Sequence, residues 1–473
     1  MLARSAGRGP AVTRGGLGIN PRTLLWGPDD GTSDWVSAPE LPDGGELVVD
    51  AEARRAAGKD RGSRVEALPG AVLRPAGAGD VEAVVRFAHQ HGIPCAAQGN
   101  QHTVGGQALA ADGIAIDMLR LNRIHSVVPP GADGSSGTIE IDAGVLLTDV
   151  AIAADKHQAR VSTGYPGRTT LSAGGFAAVG GWSAIVRSGV FGAAVPRMEV
   201  VTPDGQRLLC SADENAEVYN AVLGGVGQHG IITRLWVDLV PAPSRVSTYT
   251  VPFNSAEAAC NALRTLSERP EPDELHVTWK HPDVQIAWLE VDVYDPEARG
   301  IDCAQLLAGY GDGEPEVQDR SYLDFVLGLA DPMYDFAEKQ LGWNELPKAW
   351  ADWIMTDDQV TEVLPEALPR VQPLISPTSV VLLAVKDRAA MDAAGRRNPP
   401  LPEGGGDKYW LMDCLLDFPS ADEAEEAVRT LHDLHAFALD RGARIYSIGS
   451  FTDPGIHADT GLAPGTSKPR IDR

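Results

Sequence analysis

Ala96-Ala97-Gln98-Gly99-Asn100-Gln101-His102-Thr103-Val104-Gly105-Gly106-Gln107 sets one histidine in a glycine-flanked turn, directly after the apolar run Ile93-Pro94-Cys95-Ala96-Ala97. Glycine admits positive φ angles and a close backbone approach, the two properties a phosphate-cradling turn requires. An imidazole in that turn is held against whatever the backbone amides grip. The stretch suits a nucleotide cofactor anchored twice, by its pyrophosphate and by a bond to His102. A surface loop with an incidental histidine explains the same residues taken alone, so the surroundings must decide.

Outward from this turn, Leu68 to Pro243 alternates short β-type runs with helical ones. Val72-Leu73-Arg74-Pro75 reads as extended, because Pro75 disfavours the α region at Arg74. Asp80 is expected to cap a helix whose apolar residues Val81, Val84, Val85 and Ala88 recur at helical spacing. Ile114–Asp117 and Thr138–Ile141 read as strands, and Leu147 to His157 as an amphipathic helix. Glu199–Val201 and Gln206–Cys210 flank Pro203-Asp204-Gly205 as a hairpin, and Ile231–Val240 is a long strand.

Two more glycine clusters lie in this block. Gly225-Val226-Gly227-Gln228-His229-Gly230 has the form GxGxxG, but a helical run (Ala216 to Leu223) precedes it and a strand follows. A dinucleotide fingerprint needs the reverse order, with the pyrophosphate on the N-terminus of the helix that follows, so a Rossmann reading is rejected. These glycines instead let a helix-to-strand turn pass close beneath a flat ligand. Thr169 to Phe176 and Val179 to Ser183 supply the other cluster, read as a poor helix or strand and a good backbone cradle. Three clusters converging on one large cofactor explain the pattern more simply than three surface loops.

Beyond Pro241-Ala242-Pro243 the character changes. Ser255–Ser267 and Asp422–Asp440 are helical patterns, while Val277–Trp279, Ile286–Val293 and Tyr409–Phe418 alternate like strands; Gly395–Asp407 is a Pro- and Gly-rich loop. These units make a plausible substrate-covering domain.

The chain of 473 residues carries a net charge of −25, from 65 acidic against 40 basic residues. That field repels phosphate backbones and argues against nucleic acid as a partner, although local amides still bind a nucleotide cofactor. The five cysteines show no CxxC spacing and the 11 histidines no metal-ligand spacing, so neither a disulfide frame nor a metal site is expected. No apolar run approaches the ~18 residues of a membrane span, and no secretory h-region is visible, so a cytoplasmic protein is the expectation.

The order of the clusters resembles the FAD-binding, PCMH-type domain of the vanillyl-alcohol-oxidase superfamily, and within it the cytokinin dehydrogenases and their bacterial FAD-linked relatives. The likeness is carried by Gln98 to Ala108, where the family shows Gly-x-Gly-His-Ser ending in Gly-Gln-Ala, by Asp112-Gly113-Ile114-Ala115-Ile116-Asp117-Met118, and by Asn220 to Arg234. It is strong from Val72 to Pro243 and traceable to about Gly449.

The resemblance implies an α+β protein: a PCMH-type FAD-binding domain of two α/β subdomains (67–243) and an α+β cap with an antiparallel sheet (244–430). Residues 1–45 are expected as a disordered or extended arm, and 431–473 as a truncated return to the FAD domain. It implies FAD linked covalently through His102. Gly99, Asn100, Gln101, Thr103 and Gln107 would bind the pyrophosphate, and Ser172, Gly174 and Gly175 would line the cofactor. Ile232 would lie near the adenine end or ring edge, and Tyr446 would touch the ring. Gly164 to Gly175 holds no cysteine, so no second link to the flavin is expected.

The implied activity is that of an oxidase or dehydrogenase moving a hydride from a C–N or C–O centre of a small molecule to flavin N5. Oxygen or another acceptor would reoxidise the flavin. Cytokinin dehydrogenases place a proton-accepting aspartate in the stretch matching Tyr165 to Thr170, which here has no carboxylate. A cytokinin-like amine therefore competes with a sugar- or alditol-type alcohol as substrate, and a catalytically impaired flavin binder is a third reading. Arg168 would receive an anionic group or stabilise reduced flavin, or equally serve as a salt-bridged structural arginine. After Thr452-Asp453-Pro454 the family's closing element is not recognisable.

Overall fold

The computed structural model describes residues 16–28, 35–166, 169–328, 345–393 and 400–450. β1 (Leu17–Asn20), β2 (Leu25–Pro28) and β3 (Val36–Ser37) form a small antiparallel sheet. Ile19 is fully buried in the core of the first domain, and Trp26 packs against the same core. The described part of 1–45 is therefore a packed sheet and not an extended arm, because burying these side chains offsets the entropy of ordering it.

β4 (Glu46–Val48), α1 (Ala51–Ala57), β5 (Ala71–Arg74), α2 (Ala78–His91), β6 (Cys95–Gln98) and β7 (Ile114–Asp117) make the first subdomain, with strand order β4-β5-β7-β6. β5, β7 and β6 run parallel, joined through α2 as the helical crossover such pairing requires. α2 buries Val81, Val84, Val85 and Ala88 on one face and stops at Gly92, whose left-handed φ of 64° lets its N–H reach back to Ala88 and His89. Asp80 does not cap this helix. The N-cap is Gly77, and the Asp80 carboxylate accepts from the amides of Asp43, Gly45 and Ala76, each at 2.9 Å. Three backbone donors outcompete a capping role, and they tie the chain before β4 to the helix start.

β8 (Ile124–Val128), β9 (Gly137–Asp142), α3 (Leu147–Asp155), β10 (Ala159–Val161), α4 (Ala173–Ala178), β11 (Arg197–Val201), β12 (Arg207–Ser211), α5 (Ala216–Val222) and β13 (Ile231–Pro241) form the second subdomain. Its six-stranded sheet is antiparallel with β13 near the middle. The segment read as too glycine-rich for regular structure holds α4. Gly174 and Gly175 are accepted there because a Cβ on Gly174 would stand 2.6 Å from Ala143 Cβ, and one on Gly175 would stand 2.8 Å from Ser172 Oγ. Close packing, not missing helicity, explains those glycines.

The cap is one eight-stranded antiparallel sheet of β14 (Arg245–Phe253), β15 (Glu274–Lys280), β16 (Ala287–Tyr294), β17 (Glu316–Ser321), β18 (Lys348–Thr356), β19 (Val380–Asp387), β20 (Lys408–Asp417) and β21 (Arg444–Ile445). The order is β17-β14-β16-β15-β19-β20-β18-β21. α6 (Ala256–Ser267) and the helices Asp357–Val371 and Ala421–Leu439 cover one face. Leu275, Val277 and Trp279 of β15 and Trp410, Met412, Cys414 and Leu416 of β20 point into that covered core. Their alternates therefore face the other way, toward the cofactor domain.

Two expected boundaries move. The division at 430 and 431 falls inside the helix Ala421–Leu439, which packs on β18, and β21 still belongs to the cap sheet. The chain returns to the cofactor domain only at Tyr446, whose hydroxyl accepts from Trp182 N at 3.2 Å. At the other end, β4 and α1 extend the first subdomain ahead of residue 67. Within 395–407, residues 400–407 are irregular and 394–399 lie outside the described residues.

Candidate functional site

The loop after β6 is shaped by bonds that turn its carbonyls and side chains inward. Gln98 Nε2 donates to Ala57 O at 2.8 Å and Ala108 O at 3.0 Å, closing the loop at its base. Arg61 N donates to both Gln101 O (3.0 Å) and Thr103 O (3.1 Å). Asp60 accepts from Gly62 N at 2.9 Å and from Gly106 N at 2.7 Å. Burial pushes the Asp60 carboxyl up to about 6, against the pull of those two amides and of Arg64. Gln101 takes a left-handed φ of 51°, the conformation a glycine adopts without strain, and the family pattern has glycine there.

His102 sits on this loop with Nε2 3.3 Å from Thr170 Oγ1, and Asn100 Nδ2 donates to Thr170 O at 2.8 Å. The first and second clusters are thus joined directly. A Cβ on Gly99 would stand 2.1 Å from Ser172 Oγ, so the two segments touch only because residue 99 has no side chain. Gln107 Nε2 donates to Gly449 O, bringing the chain after the cap onto the same loop.

All three clusters line one cavity of about 1060 Å³. Gly99, Asn100, Gln101, His102, Thr103 and Gln107 border it, as do Ser172, Gly174, Gly175, Ile232 and Tyr446. Val226, Gly227, Gln228 and Gly230 of the GxGxxG segment line it too. The volume lies at the upper end of the ~300–1,000 Å³ of drug-sized ligand sites, a size that suits a large cofactor. Arg168 and Gly167 lie outside the described residues, as does the tail from Phe451.

Buried polar atoms test whether such a cofactor fits. Thr103 Oγ1 and Trp182 Nε1 are buried without a hydrogen-bond partner among the described residues, and both residues line the cavity. An unmet buried donor costs ~1–3 kcal/mol, so these groups fit a ligand rich in acceptor atoms, as a flavin dinucleotide is. Among the described residues no cluster of metal-ligating side chains occurs, and no helix is long and apolar enough to cross a membrane.

The cap supplies the roof, and it is divided. Toward one end it is polar: Thr248, Glu274, His276, Glu290, Asp292 and Arg320 face the cavity. Glu274 receives the Tyr294 hydroxyl, and burial pushes its carboxyl up to about 7. Toward the other end Val380, Leu382, Leu411, Leu415 and Ile448 surround a single carboxyl, Asp413. Lys386 pins the roof to the cofactor domain: its buried ammonium donates to Ile185 O at 2.8 Å and Ser188 Oγ at 3.1 Å. Desolvation lowers Lys386 to about 7, opposed by Glu274 and Asp387.

Sequence reasoning missed Asp60, Trp350, Asp352 and Asp413. Asp60 reaches Gly106 across 46 positions, and the others come from cap strands with no local motif around them.

The comparisons agree with this geometry. Residues 69–211 match the model of the FAD binding domain family. The chain is 37% identical over 441 residues to cytokinin dehydrogenase 6 of Oryza sativa subsp. japonica, covering 84% of this chain and 82% of that one. It is 30% identical over 317 residues to an uncharacterized oxidoreductase of the fasciation locus of Rhodococcoides fascians, covering 65% of this chain and 69% of the other. A VAO-type flavoprotein from Myceliophthora thermophila shares the fold, with a TM-score of 0.62 at 19% identity over 81% of this chain and 73% of that one.

Proposed function

Because this chain belongs to the vanillyl-alcohol-oxidase superfamily of FAD-dependent oxidoreductases, with cytokinin dehydrogenases among its relatives, we propose that it oxidises a small molecule at a C–N or C–O centre using FAD tethered through His102. The observation carrying this reading is the convergence of three glycine clusters, His102 and the unpartnered Thr103 hydroxyl on one cavity. The bound FAD would supply the two-electron acceptor, taking a hydride from the substrate carbon.

The chain's own residues hold and shape. The loop Gly99–Thr103 and Gln107 would grip the pyrophosphate, and Ser172, Gly174 and Gly175 would let the cofactor lie against α4. Ile232 and Tyr446 would border its two ends. The cap roof excludes water and presents the substrate, with Leu382, Leu411 and Leu415 offering an apolar surface. Oxygen or another acceptor would complete the cycle.

Anaerobic addition of a secondary amine of the cytokinin type, N6-isopentenyladenine, of the primary amine benzylamine and of the alditol sorbitol tests this. Bleaching of the oxidised flavin band by one of them is expected. A band unmoved by all three contradicts the oxidoreductase reading and leaves a flavin binder.

A further inference from the structure

Asp413 and Asp352 are direct register partners on β20 and β18, so their side chains share one sheet face at cross-strand distance. Asp413 lines the cavity, whereas Asp352 is 1% exposed behind it. Trp350, also at the cavity wall, donates its indole N–H to both, 2.6 Å to Asp413 Oδ1 and 3.0 Å to Asp352 Oδ1. Asp352 Oδ2 is buried with no donor among the described residues. Two adjacent carboxyls cannot both ionise in a buried site. A proton on Asp352, donated to Asp413, satisfies the orphan oxygen and leaves a single charge on the member that faces the cavity.

The pair also lies over the loop that carries His102. Gly449 accepts from Gln107 Nε2, and a Cβ on Gly449 would stand 3.3 Å from Asp352 Oδ2 and 2.5 Å from Trp350 O. One residue therefore separates the cofactor loop from the carboxyl pair. Around Asp413 the roof is apolar: Leu411 and Leu415 on its own strand and Leu382 opposite it on β19.

We propose that Asp413, positioned by Asp352 and Trp350, accepts the N–H or O–H proton of the substrate, a task for which Tyr165–Thr170 offers no carboxylate. The assignment rests on the oxidoreductase reading above. The substrate loses a C–H hydride, which the FAD accepts, and an N–H or O–H proton, which the Asp413 carboxylate accepts, as a C=N or C=O bond forms. Asp352 keeps its proton throughout and is a positioning residue.

Burial raises Asp413 to about 6, and burial together with Asp413 itself holds Asp352 well above the ordinary carboxylate range. The other titratable groups within reach are Tyr446 and Cys414, both pushed up by burial and neutral in this range. The carboxylate is the accepting form, so turnover rises with pH through about 6 and levels off above it.

The test uses the purified holoprotein, with N6-isopentenyladenine, benzylamine and sorbitol as anaerobic probes. Asp413→Asn is expected to slow bleaching by the fastest of them about 10²–10⁴-fold at unchanged flavin content. Asp352→Asn removes the second acid but keeps an N–H donor toward Asp413. It is expected to slow bleaching less than about tenfold and to move the pH midpoint up, because an amide N–H donates to the Asp413 carboxylate more weakly than the carboxylic O–H it replaces. Infrared difference spectra between about pH 5 and about pH 8 read the same group without turnover. Asp60 and Glu274 titrate in the same interval, so the protonated-carboxyl band of wild type is expected to shrink in Asp413→Asn by the share of one carboxyl. Equal bleaching rates in Asp413→Asn and wild type, or an unchanged band in Asp413→Asn, overturns the proposal. No bleaching of wild type by any probe, or purified protein carrying no flavin, overturns the reading beneath it instead.

Discussion

Gln101 holds its φ of 51° at a cost of about 1–2 kcal/mol for an L-residue. Its side chain offsets part of that cost by donating from Nε2 to Ala56 O at 3.1 Å and Gln98 Oε1 at 3.3 Å. Gln101→Gly relieves the strain, loses both bonds and frees the unfolded chain, so the net change in stability is expected within about 1 kcal/mol with flavin content intact. Thermal unfolding and the flavin-to-protein ratio measure it. Loss of flavin at unchanged stability would mean that the Gln101 side chain grips the cofactor directly. Residues of this kind were legible because turn chemistry is local: the glycines and His102 stand within ten positions of one another. Asp60 was not, since nothing around it in sequence marks the partner loop whose Gly106 amide it accepts.

At the scale of elements, α4 shows what glycine does beyond turns. Gly174 packs so close to β9's exit that an added Cβ would meet Ala143 Cβ at 2.6 Å and Ala143 O at 3.0 Å. Gly174→Ala gains about 1 kcal/mol of helix propensity but overpacks a backbone contact, at a cost of about 1–3 kcal/mol. A lower melting temperature and a reduced flavin-to-protein ratio are expected, because α4 and Ala143 both line the cavity and must move apart. A variant as stable and as flavin-loaded as wild type would show that this contact yields freely. Elements with strong periodicity, such as α2 and β13, could be read directly. The helix Asp357–Val371 could not, because Pro365 and Pro369 interrupt it and its start depends on the reciprocal bonds of Thr356 and Gln359. β17 has hardly any apolar alternation, as five of its six residues are exposed, so only its pairing with β14 makes it a strand.

Across the whole molecule the cavity belongs to neither unit alone. The cofactor domain contributes the glycine clusters as its floor, and the cap contributes one face of its sheet as a roof, joined by Lys386 of β19 and by Gly449 at the His102 loop. That division explains which parts of the site were readable. The floor is built from glycine turns that are local in sequence, whereas the roof side chains come from strands far apart in the chain. The most direct test of the account is the intact mass of the denatured protein, compared with His102→Ala. Wild type is expected to carry the added mass of one FAD that survives denaturation, and His102→Ala to release it. A wild-type chain at its bare polypeptide mass, or an adduct that persists in His102→Ala, would contradict the claim.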